Sequence, residues 1–299
     1  MNDTNLNNSN EEIDLKELFF ALWDKKFLII FLTTIAAIIS VFYALSLPNI
    51  YSSDTLLAPT DSEQSMGGSI RDYSSIASMA GINIPSQSGG KTAEAIERIK
   101  SYDFFVNHFL PNIQFKDLVA AKSWSAINNT MEYYPDASNN LIKKTTNQQA
   151  YKIYTSILDV SLDKKTTFVS MKIEHISPHV AAKWLNIIIQ NINSHMRELD
   201  KAVAKNSITF LNLSAQDANL SEVRASIFSL IQNQIQLLTL AEANIDYVFR
   251  PISSPIVPEV RSRPSRSSIS ISGTIAGFII SLFISLMFHF LKLMRVKKF

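Results

Sequence analysis

Two long runs without charge lie near the ends of the chain, Phe27–Leu47 and Ser267–Leu291, and everything between them alternates on shorter periods. At 1.5 Å per helical residue these runs reach roughly 31 Å and 37 Å, each enough to cross a bilayer core. They predict transmembrane helices over 27–47 and 268–291. A cleaved signal peptide is the rival for the first, because Ala44-Leu45-Ser46 would serve as a cleavage triplet. The apolar run, however, exceeds the roughly 7–15 residues of a secretory leader, and the polar tail ahead of it is long. Within that tail, residues 1–10 are polar and predict no fixed structure. Leu15, Leu18, Phe19, Leu22 and Trp23 then recur at helical spacing, so Glu11–Lys26 reads as an amphipathic helix. Trp23 followed by Lys25 and Lys26 is the composition of an interfacial anchor.

The middle of the chain switches between periods. Tyr51–Ala58 predicts a strand leaving the first span, and the Ser- and Gly-rich stretch 62–90 predicts a loop region interrupted at Ile76. Thr92–Leu110 predicts a helix with Ile96, Ile99, Phe104 and Phe105 in the core, residues 116–135 fit neither period, and Asn147–Leu158 predicts another helix. Two strands follow near Asp159–Leu162 and Thr167–Glu174, the second turning Val169, Met171 and Ile173 to one side. Ser177-Pro178 opens a helix with a capping residue and a proline at the first helical position. Val180, Trp184, Ile188, Ile192, Met196, Leu199 and Val203 then repeat every three or four residues. The pattern weakens at 214–219, where Ser214…Asp217 and Asn219…Glu222 both read as capping boxes, and resumes from Leu220 to Ala241. This is one helix near 100 Å long or an antiparallel pair turning near Ala215–Ala218, and the doubled capping signal favours the pair. Asp246–Ile252 predicts a strand returning beside the earlier ones.

Composition changes this picture little. The 299 residues are 46% hydrophobic, with the excess concentrated in the two end runs, and carry a net charge of +2, from which bulk electrostatics predicts no nucleic-acid binding. There is no cysteine, so no disulfide and no thiolate chemistry. Charge does bear on topology. Lys16, Lys25 and Lys26 precede the first span, and Lys292, Arg295, Lys297 and Lys298 follow the second, which predicts both termini in the cytoplasm. Arg261, Arg263 and Arg266 lie on the opposite side of the second span. They oppose that orientation, but long segments translocate largely regardless of charge. In the second span Gly273 and Gly277 stand four apart on one face, a spacing that admits close approach by another helix in lipid.

Candidate chemistry is sparse. Gly90-Lys91-Thr92 is the end of a phosphate-binding loop only if glycine stands five residues earlier, and Pro85 is there instead. His175 and His179 have i, i+4 spacing, but Ser177-Pro178 between them marks a strand-to-helix junction where the rings diverge, and no third ligand lies nearby. No nucleophile motif such as G-x-S-x-G occurs. The aromatic residues of the long helices are at core spacing rather than in sugar-stacking positions. No catalytic residue, cofactor site or metal site is expected.

The ordered set of features resembles the polysaccharide co-polymerases, the Wzz-type chain length determinant proteins. The residues that carry the resemblance are Ile13-Asp14-Leu15 through Leu22-Trp23 and Lys26, Ile50-Tyr51, Ile76-Ala77-Ser78-Met79-Ala80-Gly81-Ile82, Ile173-Glu174-His175 with Ser177-Pro178, Ala182 and Trp184, and Pro255, Pro258, Pro264 and Arg266 before the glycine-bearing span. The helical region is shorter than in longer members of that family, and Pro264-Ser265-Arg266 stands where a Pro-Lys pair is common.

The resemblance implies an α+β membrane protein in which two transmembrane helices flank a periplasmic α/β base domain with a long helical protrusion. Its segments would be a cytoplasmic piece 1–26, a span 27–47, a periplasmic domain 48–267 with the helical region 178–246, a span 268–291 and a cytoplasmic tail 292–299. Pro251, Pro255, Pro258, Pro264 and Arg266 would form the membrane-proximal motif, Gly273 and Gly277 the span contact, and Ser214, Asp217, Asn219 and Glu222 the tip of the protrusion. It further implies a non-enzymatic homo-oligomeric ring in the bacterial inner membrane that sets the modal length of a lipid-linked polysaccharide, most often lipopolysaccharide O-antigen, built by a separate polymerase. An accessory protein of capsule or exopolysaccharide export shares the architecture. A two-span periplasmic sensor fits less well, because only about eight residues follow the second span and an output domain is expected there.

Overall fold

The computed structural model describes residues 22–60, 90–135, 141–217 and 220–296. In chain order the elements are α1 (Lys26–Ser46), β1 (Tyr51–Pro59), α2 (Gly90–Lys100), α3 (Phe115–Val119), β2 (Ala121–Ser125), β3 (Thr130–Tyr133), α4 (Leu141–Lys144), α5 (Asn147–Ile157), β4 (Leu158–Leu162), β5 (Val169–His175), α6 (Pro178–Asp217), α7 (Ser221–Ala243), β6 (Phe249–Ser253) and α8 (Arg266–Val296). Short helical turns at Tyr102–Phe104, Phe105–Phe109 and Leu110–Asn112 link α2 to α3. Most of the described chain is helical, with one four-stranded sheet, one two-stranded sheet, and two helices, α1 and α8, long and apolar enough to cross a membrane. The Ile76–Ile82 stretch, the amphipathic segment before Leu22 and Asn219 lie outside the described residues.

The chain divides into two units, Met1–Pro48 with Arg263–Phe299, and Asn49–Ser262. In the second unit the sheet runs β4-β5-β1-β6, all antiparallel. The period-two pattern of β5 is realised: Val169, Met171 and Ile173 are fully buried. They face a core built from Leu57, Ile96, Ile99, Phe104, Phe105, Phe109, Tyr154 and the first half of α6. Ile96, Ile99, Phe104 and Phe105 are all in it, but the single helix expected over Thr92–Leu110 breaks at Ser101. That residue is extended (φ −75, ψ 153), and its hydroxyl oxygen accepts the Phe104 amide. A serine able to serve the backbone in this way competes with the helix that would run through it. Residues 116–135, which fit neither period, form the short helix α3 and the β2–β3 hairpin. Its turn holds Asn129 at a left-handed φ of 47, a conformation asparagine tolerates, with the amide oxygen accepting from the Trp124 indole at 2.9 Å.

A long helical hairpin follows. α6 has 40 residues, about 60 Å of helix, and α7 returns antiparallel along it. The direction is set by Lys201, whose ammonium meets Glu242 at 2.7 Å, and by Asn193, which meets the chain again at Val248 and Phe249. Two corrections concern the turn. Ser214 lies inside α6 with its hydroxyl donating to the Phe210 carbonyl at 3.0 Å, so it caps nothing. The residue at the head of α7 is Leu220, which has no side-chain cap bond, with Glu222 in the first turn. A serine hydroxyl that bonds back along its own helix is no longer free to end it.

Candidate functional site

The residues expected to matter fall in three places. At the α6–α7 turn, Asp217 is the last residue of α6 and Glu222 stands in the first turn of α7. Exposed apolar side chains crowd the hairpin on either side of them: Val203, Phe210, Leu213, Leu220, Val223 and Phe228. Among the described residues none covers them.

In the first unit α1 and α8 pack antiparallel through small residues. A Cβ built on Gly273 would stand 2.7 Å from the Cβ of Ser40 and collide with its hydroxyl, and one on Gly277 would collide with the Cβ of Ala36. Glycine is therefore required at both positions by the approach of the opposing helix. Polar atoms close the same seam: the Ser40 hydroxyl donates to the Ile269 carbonyl at 3.1 Å, and the Thr33 and Ser281 hydroxyls lie 3.3 Å apart. The pairs 33–281, 36–277 and 40–273 run in one antiparallel register. Sequence reasoning found the glycines and missed their partners, although Ala36, Ser40 and Ala44 repeat the same four-residue spacing and Ser40 and Ala44 are buried. Around this seam Phe31, Phe42, Phe278 and Phe283 are exposed.

The proline-rich stretch is the third place. Pro251 lies in β6 opposite Leu57, and the chain then runs extended beside β1. The Ser53 hydroxyl donates to the Ile256 carbonyl at 2.9 Å, the Thr55 hydroxyl to the Ser253 carbonyl at 2.5 Å, and the Ser262 amide to the Ile50 carbonyl at 2.8 Å. Pro255 and Pro258 thus sit in a strap that needs few amide donors, because β1 supplies hydroxyls to its carbonyls. Pro264 and Arg266 belong to the other unit, Arg266 as the first residue of α8.

Several interactions that tie the helical hairpin to the sheet were not legible as sites. The Asn193 side chain accepts the Val248 and Phe249 amides at 2.9 Å each and donates to the Phe249 carbonyl at 2.8 Å. A buried amide here stands in for a missing strand neighbour of β6. Lys91, from the Gly90-Lys91-Thr92 stretch, pairs with Asp200 at 2.8 Å, and Tyr247 donates to the same carboxylate at 2.5 Å. Burial and that carboxylate push the Tyr247 phenol up. The lysine of the triplet thus ties α2 to α6.

The histidine pair diverges. His175 is buried, its Nδ1 accepting the Ser177 amide at 3.0 Å and its Nε2 donating to the Asp117 carbonyl at 2.9 Å, whereas His179 is exposed near Trp124. With both ring nitrogens engaged, burial holds the His175 imidazole below its ordinary value. Among the described residues no three His, Asp or Glu side chains converge as metal ligands.

The fold thus defines a class: a protein with two apolar helices joined by an α+β domain carrying a helical hairpin. Residues 11–105 match the family described as Wzz, chain length determinant protein, a stretch that takes in α1, β1 and α2. The resemblance read from the sequence therefore holds. No curated protein matches the chain. Among solved structures the chain is similar to a full-length bacterial polysaccharide co-polymerase, at 14% identity over 93% of this chain and 98% of that one, with a TM-score of 0.43. It is also similar to a fragment of WzzB, a polysaccharide co-polymerase from Salmonella Typhimurium, at 16% identity over 72% of this chain and all of that one, with a TM-score of 0.34.

Proposed function

We propose that this protein is a non-enzymatic regulator of the modal chain length of a lipid-linked surface polysaccharide, lipopolysaccharide O-antigen in the first instance, working with a separate polymerase. The observation that carries this reading is the match of residues 11–105 to the chain length determinant family. The protein is held in the bacterial inner membrane by α1 and α8. Antiparallel packing of these helices puts both chain ends on one side, and the lysines and arginines flanking them make that side the cytoplasm. Residues 48–267 then stand in the periplasm, and copies assemble into a ring.

The exposed apolar side chains of the hairpin support assembly, since contiguous apolar surface on a soluble domain marks a contact with another chain. Length control in this reading is geometric: the assembled surface retains growing polymer until a set length, and no bond is made or broken by this chain. The membrane-proximal prolines stiffen the joint between domain and span.

The test is a gel ladder of surface polysaccharide from cells with and without the gene. Loss of the gene is expected to turn a clustered band distribution into a graded, mostly short one. An unchanged ladder with less total polysaccharide would assign the protein to export instead. A Gly273→Leu, Gly277→Leu double variant is expected to separate the α1–α8 seam and broaden the ladder. An unaltered ladder and unaltered assembly size would remove the glycines from the mechanism.

A further inference from the structure

One edge of the Asn49–Ser262 unit carries exposed apolar residues that the length-control reading leaves unexplained. The chain enters this unit at Asn49–Tyr51 and leaves it at Ser262, and the Ser262 amide bonds the Ile50 carbonyl at 2.8 Å, so entry and exit are side by side. The helices long enough to cross a membrane begin four residues away on each side, Ser46 before Ile50 and Arg266 after Ser262. Four residues of chain reach at most about 14 Å. Entry and exit thus form one corner of the edge, joined to each apolar helix by a link no longer than that.

The β2–β3 hairpin is fixed at the same edge. Trp124 packs edge-on against Tyr51 with ring centroids 5.4 Å apart, and its other aromatic neighbour is His179 at 6.1 Å. Asp117, just ahead of the hairpin, accepts the bond from His175, the residue opposite Tyr51 in the β1–β5 pair. Three residues beyond Trp124, at the tip of the hairpin, stands Ile127, 93% exposed. The strap running back to the membrane adds Ile256 and Val260, the latter 77% exposed, with Arg261 next to it also exposed. Branched aliphatic side chains bare to water, one at the tip of the hairpin that carries Trp124 and one next to Arg261, are the composition of a surface seated in the interfacial layer of a bilayer.

We propose that this edge is a lipid-contact surface: Ile127 and Val260 enter the outer headgroup and acyl boundary of the membrane, and Arg261 meets the phosphates above it. The occupant is a phospholipid surface rather than a second copy of the chain, because the entry–exit corner is joined to the two spans by only four residues on each side. The proposal also accounts for arginine on the outer side of the second span, where the charge rule for membrane orientation disfavours it. It rests on the reading of α1 and α8 as membrane spans.

The absence of cysteine from the natural sequence makes the test clean. Full-length Ile127→Cys and Val260→Cys variants are spin-labelled and reconstituted in nanodiscs of zwitterionic lipid with and without anionic phosphatidylglycerol. Collision of each label with oxygen, which concentrates in lipid, is compared with collision with a water-soluble nickel chelate. The reference is Ile245→Cys, 81% exposed but beyond the opposite end of β1, where Phe249 pairs with Pro59. A second control, Phe31→Cys on α1, reads whether the spans themselves sit in lipid.

The expected result is a reversal of the oxygen-to-nickel ratio at 127 and 260 relative to 245, strengthened by anionic lipid. Labels at 127 and 260 as water-exposed as that at 245, with the label at 31 in lipid, overturn the lipid contact and leave the spans standing. Labels at 127 and 260 shielded from both reagents overturn it in favour of a protein contact. A water-exposed label at 31 overturns the membrane reading itself.

Discussion

The two halves of α6 have similar helical periodicity and opposite surroundings. From Pro178 to Met196 the helix buries Ala181, Trp184, Leu185, Ile188, Ile189 and Ile192 against the sheet and the turns after α2. Beyond Met196 only Ala204 and Ala215 are buried, both small, while Val203, Phe210 and Leu213 stand exposed. The first half is held by its own chain. The second has α7 for a neighbour and still shows large apolar side chains to water, so its amphipathic stripe is wider than one partner helix can cover. The difference separates what stabilises the fold from what is offered to another molecule.

The largest effect is expected from Trp184→Ala, which empties a site closed by His175 at 4.7 Å and Phe109 at 5.6 Å between ring centroids. A loss of about 3–5 kcal/mol is expected, read by denaturation of the full-length protein in nanodiscs. A loss no larger than that of a surface substitution would erase the contrast between the halves.

Next is Asn193→Leu, which leaves the Val248 and Phe249 amides without their buried acceptor. About 1–3 kcal/mol should be lost. Hydrogen exchange at those two amides should rise selectively, and protection unchanged from the native chain would remove Asn193 from its bracing role.

A pH dependence comes third. Burial lowers the proton affinity of His175, and the same is true of His108 and His195, whose tilted rings have centroids 4.2 Å apart beside Arg98. Each folded-state pKa lies below the unfolded value, so the unfolded chain binds more protons and stability falls as pH drops below about 6.5. Tm should decline between neutral pH and pH 5, and a His175→Gln variant should flatten part of that decline. An equal slope in the variant would assign the effect to the other two histidines.

The smallest effect on stability is expected in the outer half. Phe210→Ser with Leu213→Ser should shift unfolding by no more than about 0.5 kcal/mol per site. The same variant should lower the assembly mass measured by light scattering. A large loss of stability with unchanged mass would show that these side chains serve the monomer after all.

Much of this architecture was legible before any coordinates. The apolar run 27–47 became α1 at Lys26–Ser46, and the second run became α8, longer than expected because a helix ends where its backbone bonds end rather than where hydropathy changes. Strands β1, β4, β5 and β6 lie within a few residues of their predicted places, since half-buried strands write a period of two into the chain. The helix break at Ser101, the β2–β3 hairpin and the interior position of Ser214 were not legible. Each depends on which of two backbone partners a hydroxyl or amide takes, and short polar side chains serve both with similar energy.

For the candidate sites the division is sharper. Sequence determined that the ends of the chain are apolar helices, that a glycine face runs along the second, and that a long helical region separates strands belonging to one sheet. It did so because periodicity and hydropathy are properties of neighbouring residues. Only the tertiary structure decided that the glycines meet Ala36 and Ser40, that the helical region doubles back, and that Asn193, Lys91, Asp200 and Tyr247 bind it to the sheet. Those partners lie between 41 and 241 residues apart along the chain. No local pattern encodes such a pairing; it is selected by close packing and by the need of each buried polar group for a partner.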